Sequence, residues 1–218
     1  MELYKVRDIV REEVGRDRLS DPMLDWCIEQ ALREMEKLDN WYWMQATPKT
    51  GSLTASQQSY LLTGSTSNGF NLPDWKANKF VSVTTGTALS EVRGPVNEDI
   101  STLFTTTATG LPLYYALQNV STPTATIVFW PTPDTTYAYS LAHYQWTALP
   151  TDITTETHEV LKRWPEALIA LATEQAILQA TKDAQAASVF GERFRSLWLP
   201  QIRATDPMRE VMVRGHRV

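Results

Sequence analysis

The chain has 218 residues, 43% of them hydrophobic and 10% aromatic, and a formal net charge of −5. Such a composition can fill a core, which excludes a disordered chain, and its acidic balance argues against a nucleic-acid binder held by a basic face. No apolar run reaches the roughly 18 residues of a membrane span, Met1-Glu2-Leu3-Tyr4-Lys5 lacks the apolar core of a signal peptide, and the one cysteine, Cys27, rules out a disulfide within the chain and fits a reducing cytosol.

Residues 2–17 read as a helix: Leu3, Val6, Val10 and Val14 recur at three or four residues, with charges on the other face. Ser20-Asp21-Pro22 signals the next start, a side-chain cap followed by proline at the first helical position. The stripe of Leu24, Ile28, Ala31, Leu32, Met35 and Leu38 carries that helix to about Asp39, with Cys27 on the stripe. From Trp41 to about Asp152 the chain becomes poor in charge and rich in Thr, Ser, Gly and Pro. Strands are expected at 41–47, 57–62, 79–85, 87–93, 113–119, 126–130 and 136–147, with a tight turn at Gly86, a loop over 63–69 and a short helix from Pro95. Many short strands of this kind indicate a small sandwich or barrel.

Ile127-Val128-Phe129-Trp130, the break Pro131-Thr132-Pro133-Asp134, and the alternating arm with Tyr137, Tyr139, Leu141 and His143 on one face together suggest a β-hairpin. Helix returns near Thr155, where Thr154 or Thr155 is expected to cap. Trp164-Pro165 should end a short helix near Arg163 and open a long one to Lys182, apolar nearly all round and therefore central. Asp183 should cap a last helix that Pro200 bends or ends, and 206–218 reads as an extended tail. The layout is α+β: a helical bundle from both chain ends, 1–40 and 155–205, an inserted small antiparallel β-domain, 41–154, and the tail, 206–218.

No catalytic constellation stands out. His143, His158 and His216 have no second His or Cys at ligand spacing, so no zinc site is expected. His143 is expected in a sheet face and His158 in a solvated first turn. Cys27 reads as a buried, inert thiol. Gly64 to Gly69 has the spacing that opens a phosphate loop, but Phe70-Asn71 follows where Lys-Ser/Thr is required. Glu91, Glu98 and Asp99 could meet a cation, though a solvated turn accounts for them. No cofactor is expected. Seven tryptophans flank the presumed junctions. Core packing is their ordinary role, a ring interface their functional one, carried by Trp41, Trp43, Trp75 and Trp146, and a sugar platform on the β-domain a third.

The order of motifs resembles the head–tail adaptor proteins of tailed phages, also called head-completion or connector proteins, including the tail tubular adaptors. The parts are the capped helix ending in Leu38-Asp39-Asn40-Trp41-Tyr42-Trp43, the Asn71-Leu72-Pro73-Asp74 step, the Gly110-Leu111-Pro112 to Tyr114-Tyr115 strand, Trp130-Pro131-Thr132-Pro133-Asp134, and two late helices with a tail. The resemblance implies a non-enzymatic dodecameric ring in the virion neck, assembled in the host cytoplasm. It would bind the portal protein on one side and a tail or nozzle protein on the other. It also implies that the helical part and tail grip the portal and that DNA passes the lumen without sequence-specific binding; Arg203, Arg209, Arg214 and Arg217 are the side chains expected to make the portal contacts, because a flexible basic tail can order on carboxylates. The rival expectation is a carbohydrate-binding β-module on a helical stalk, with exposed coplanar rings on the sheet.

Overall fold

The computed structural model describes residues 1–63, 69–83, 87–91, 108–118, 125–152, 154 and 157–206. The expected Gly86 turn, the helix from Pro95, Glu98 and Asp99, most of the 63–69 loop and the tail after Asp206 lie outside them. The protein is α+β, as expected, with a backbone that divides into two compact units, Gln45–Trp146 and Met1–Met44 with Thr147–Val218.

The helical unit opens with α1, Leu3–Val14, which buries Leu3, Val6, Val10 and Val14, the predicted stripe. Gly15 closes it at φ 103°, a conformation that L side chains rarely adopt. Helix α2, Asp21–Lys37, follows with Pro22 in its first turn. Ser20 stands in the cap position, but its carbonyl, not its side chain, takes the first amides, from Met23 and Leu24 at 3.0 Å each. Arg7 of α1 donates two parallel hydrogen bonds of 2.8 Å to the Asp25 carboxylate of α2, a fork that fixes the angle between them.

After a short α3, Glu159–Arg163, helix α4 runs from Pro165 to Thr181 as predicted. It buries Ala167, Leu168, Leu171, Ala172, Ala176 and Ile177 and packs against α1, α2 and the next helix, α5, Ala184–Arg193. An all-round apolar helix is stable only when neighbours surround it, which is the position α4 holds. Asp183 caps α5 as expected, its Oδ1 accepting from the Gln185 and Ala186 amides at 3.0 and 2.9 Å. A π-helical turn, Phe194–Trp198, leads into α6, Leu199–Thr205, whose first turn holds Pro200. The helical backbone runs without a break from α5 through this turn into α6, and the wide turn, with the Leu199 amide bonded back to the Phe194 carbonyl, accommodates the proline that has no amide to give. Gly191 of α5 lies against α4 so closely that a Cβ would run into the Glu174 carboxylate.

The β unit is two four-stranded sheets. One has the order β1-β8-β3-β4, with β1 at Lys49–Leu53, β3 at Trp75–Val83, β4 at Thr87–Ala88 and β8 at Tyr137–Gln145. The other is β2-β7-β6-β5, with β2 at Ser59–Leu61, β5 at Ser90–Glu91, β6 at Tyr114–Gln118 and β7 at Thr126–Trp130. All pairs are antiparallel except β5 with β6. Leu53, Val81, Val83 and Leu141 of the first sheet share one buried cluster with Tyr60, Tyr115, Ile127 and Phe129 of the second. Two inner faces meeting in one core define a sandwich. Its centre is aromatic: Phe70 lies 4.5 Å from Tyr139 and 6.4 Å from Phe129, and Tyr60 meets both phenylalanines edge-on.

Two expectations are corrected here. The segments 126–130 and 137–145 are strands, and Tyr139 and Leu141 face inward as the alternation required, but they do not form a hairpin: β7 and β8 belong to different sheets. Pro131 and Pro133 supply no ladder amides, and the intervening Thr132 amide is taken by the Ala108 carbonyl at 3.0 Å, so the chain turns a corner between sheets. Residues 41–47 are not a strand either. Tyr42–Met44 is a 3₁₀ turn, anchored by the Trp41 indole, which donates to the Met35 carbonyl at 2.7 Å, and by the stacking of Trp41 on Trp43 at 5.2 Å.

Candidate functional site

The helical unit contains a buried polar relay. Leu24, Ile28 and Leu32 step along the buried face of α2 by fours, and the next step is Glu36, which is 0% exposed. Arg33 donates to its Oε2 at 3.2 Å. Thr147, the residue that returns to this unit, donates its amide to Oε1 at 3.2 Å and its hydroxyl to the same oxygen. The Thr147 hydroxyl also meets His158 Nε2 at 2.8 Å. His158 Nδ1 accepts the Val160 amide at 3.1 Å, which makes His158 the cap of α3 in place of Thr154 or Thr155.

These bonds assign the imidazole tautomer. A nitrogen that accepts a backbone N–H carries no proton, so the neutral ring holds its hydrogen on Nε2 and donates it to Thr147, which in turn donates to Glu36. In a hydrolytic triad the imidazole must accept the hydroxyl's proton, and here it gives one. The relay therefore fastens the chain and supplies no activated nucleophile. Burial pushes the His158 pKa down to about 4, Lys162 adds to that, and Glu159 opposes it. The expected solvated His158 is thus corrected: it is half-buried and bonded through both nitrogens. The sequence carried one signal for this relay, a carboxylate at the position where the apolar stripe of α2 should continue.

Cys27 is fully buried and burial pushes its thiol up to about 11, which removes the thiolate needed for nucleophilic work. Among the described residues no group of His, Cys, Asp and Glu could hold a metal ion, and no helix is long and apolar enough to cross a membrane.

The four tryptophans singled out from sequence divide. Trp41 is 1% exposed and Trp75 4%, both inside their own units. Trp43 is half-buried, its Nε1 enclosed without a partner, and Trp146 is half-buried with the Lys76 ammonium 5.0 Å from its ring centroid. Arg203 lies half-buried on α6, its Nε enclosed and without a hydrogen-bond partner, while Arg209, Arg214 and Arg217 lie outside the described residues. On the sheet, Tyr114 and Trp130 neighbour each other at 5.8 Å but are inclined by 41°, so they are not coplanar.

Three surface features escaped sequence reasoning. Met23 and Trp26, one helical turn apart, are exposed and line a hollow of about 400 Å³ with Pro22 and Gln179. On the outer side of α5 and the π turn, Val189 is 61% exposed and Leu197 44%. In the β unit a cleft of about 590 Å³ opens beside β1, with His143 and Trp75 among its lining residues. Exposed apolar side chains beside an inert interior suit a protein that acts by contact.

That is the class the comparisons define. A family model described as SU10 adaptor protein matches residues 1–214. The chain belongs to the SU10 adaptor protein family, so it is a phage structural adaptor, a virion component that meets other head and tail proteins. No curated protein matches the chain.

Proposed function

We propose that the protein forms a ring, dodecameric by the resemblance of its motifs, that joins the portal vertex of the phage head to the tail and continues the DNA channel. The observation that carries this is the family match over residues 1–214. The exposed apolar residues on α2 and α5 support it, because a ring subunit needs two different surfaces that meet head to tail rather than a pocket. Trp43 and Trp146, the two of the four named tryptophans that keep some exposure, are the ring or tail contacts of this reading. Arg203, Arg209, Arg214 and Arg217 are its portal contacts, pairing with carboxylates of the portal. The lumen does not bind DNA tightly, since each phosphate neutralised adds affinity and slows passage.

The test is size-exclusion chromatography with light scattering, on the protein alone and mixed with the portal of the same phage. Co-elution with the portal as a larger complex is expected, and removal of 207–218 should abolish it while leaving the circular dichroism spectrum intact. A full-length protein that stays monomeric and ignores the portal would overturn the proposal.

A further inference from the structure

The helical unit carries two exposed apolar faces of unlike shape. The first is concave. Met23 and Trp26 of α2 are 40% and 41% exposed, and with Gln179 they wall the hollow of about 400 Å³ where α2 packs on α4. The second is a ridge. Ala187, Gly191 and Phe194 are the buried residues of α5 and the π turn, on the side that packs on α4. Val189 lies about 200° round the helix from Ala187, so it points away from α4 into water. Val189, Arg193 and Leu197 recur at every fourth position. In an unbroken α-helix the third of them would drift round the cylinder. The π turn, with more residues per turn, brings Leu197 back into line with the first two.

The charges on the two faces are of opposite sign. Arg193 stands in the middle of the ridge, and Glu29 follows Trp26 by one turn of α2. Both are exposed, and neither has an ion partner. Pairing ridge with ridge about a two-fold axis would set Arg193 against its own copy, a like-charge contact that disfavours that arrangement. A hollow cannot fill a hollow. Ridge into hollow instead covers Val189 and Leu197 with Met23 and Trp26 and brings an unpaired cation to an unpaired carboxylate. Because ridge and hollow are different surfaces of one unit, this contact repeats from copy to copy and does not close at two.

We propose that the α5 ridge of one copy docks in the α2 hollow of the next, with an ion pair between Arg193 and Glu29 across the joint, and that this head-to-tail contact builds the ring. The inference rests on the ring reading and names the surfaces that form it.

The test is a cross-link between copies. Glu29→Cys and Arg193→Cys variants are mixed in equal amounts with the portal of the same phage and treated with a short bismaleimide. A pair linked from 29 of one copy to 193 of the other is expected, and wild type should give none, because Cys27 is buried. In a parallel series, Arg193→Glu and Glu29→Arg should each weaken self-association by about tenfold, and the double reversal should restore it. Melting temperatures should stay at the wild-type value throughout, since both side chains lie in water. Portal-bound wild-type rings whose variants give no 29–193 link would overturn the interface and leave the ring standing. Links of 193 to 193 or of 29 to 29 would assign the faces to a two-fold contact and overturn it as well, as would a double reversal no better than the single ones. A wild-type protein that never associates, alone or on the portal, would sink the ring and the interface with it.

Discussion

The two units are held together by different chemistry. In the helical unit the joints are polar: the Arg7–Asp25 fork, the Asp183 cap and the Glu36–Thr147–His158 relay each fix one connection. In the β unit, where only nine charged side chains fall between 45 and 146, the centre is a cluster of Tyr60, Phe70, Phe129 and Tyr139 rings. Directional joints lose their hold when one proton or one partner changes, whereas a ring cluster loses it when volume is removed. The halves of this protein are therefore sensitive to different insults.

The largest blow to the comparison comes from volume. Phe129→Ala should cost about 3–5 kcal/mol, accelerating hydrogen exchange in β7 and β8 while leaving α4 amides protected; equal acceleration in both units would show that one core stabilises both. Glu36→Gln should cost about 2–4 kcal/mol by weakening the bond to Arg33 and the charge-assisted bonds from Thr147, read as a lower melting temperature by far-ultraviolet circular dichroism. The proton test follows. His158 is harder to protonate folded than unfolded, so its contribution is complete above pH 6.5, shrinks as pH falls towards about 4, and changes no further below that. The loss is at most about 3 kcal/mol, and urea midpoints of wild type and His158→Asn should converge in acid; parallel curves would remove the relay from the account. Gly191→Ala should change the melting temperature little, within about 1 kcal/mol, because the gain in helix propensity offsets the shift forced on the Glu174 carboxylate; a large loss would show that Glu174 cannot move. Val189→Ser should change stability by less than about 0.5 kcal/mol while weakening self-association, because its surface is already in water.

The same contrast explains what could be read in advance. Helix signals are local: the valine spacing of α1, Pro165 opening α4 and Asp183 capping α5 lie within a few residues of what they control. The strands 126–130 and 137–145 were legible by alternation, but their pairing was not, since nothing in Trp130 to Asp134 states which sheet the next strand joins. Strand β1 was missed altogether because Lys49-Thr50-Gly51-Ser52 has no apolar alternation, as expected of an edge that touches the core only through Leu53. The relay joins residues 36, 147 and 158, and the cleft joins 46–50, 71–75, 143 and 145, so each is made by folding and neither has a contiguous signature. The tryptophans could be picked out by type, yet burial, which separates Trp41 and Trp75 from Trp43 and Trp146, is a tertiary property.

Cys27 gives the molecule a reporter of its own. The thiol sits on the inner face of α2, shut away from reagents and held protonated by its surroundings. A maleimide or disulfide reagent added to the intact protein has nothing else to modify, since the chain holds no second sulfhydryl. The rate of modification is then a clock for the opening of α2 against α4. Mounted in an assembled particle, the same clock would show whether docking tightens the helical half or leaves it as it was in solution.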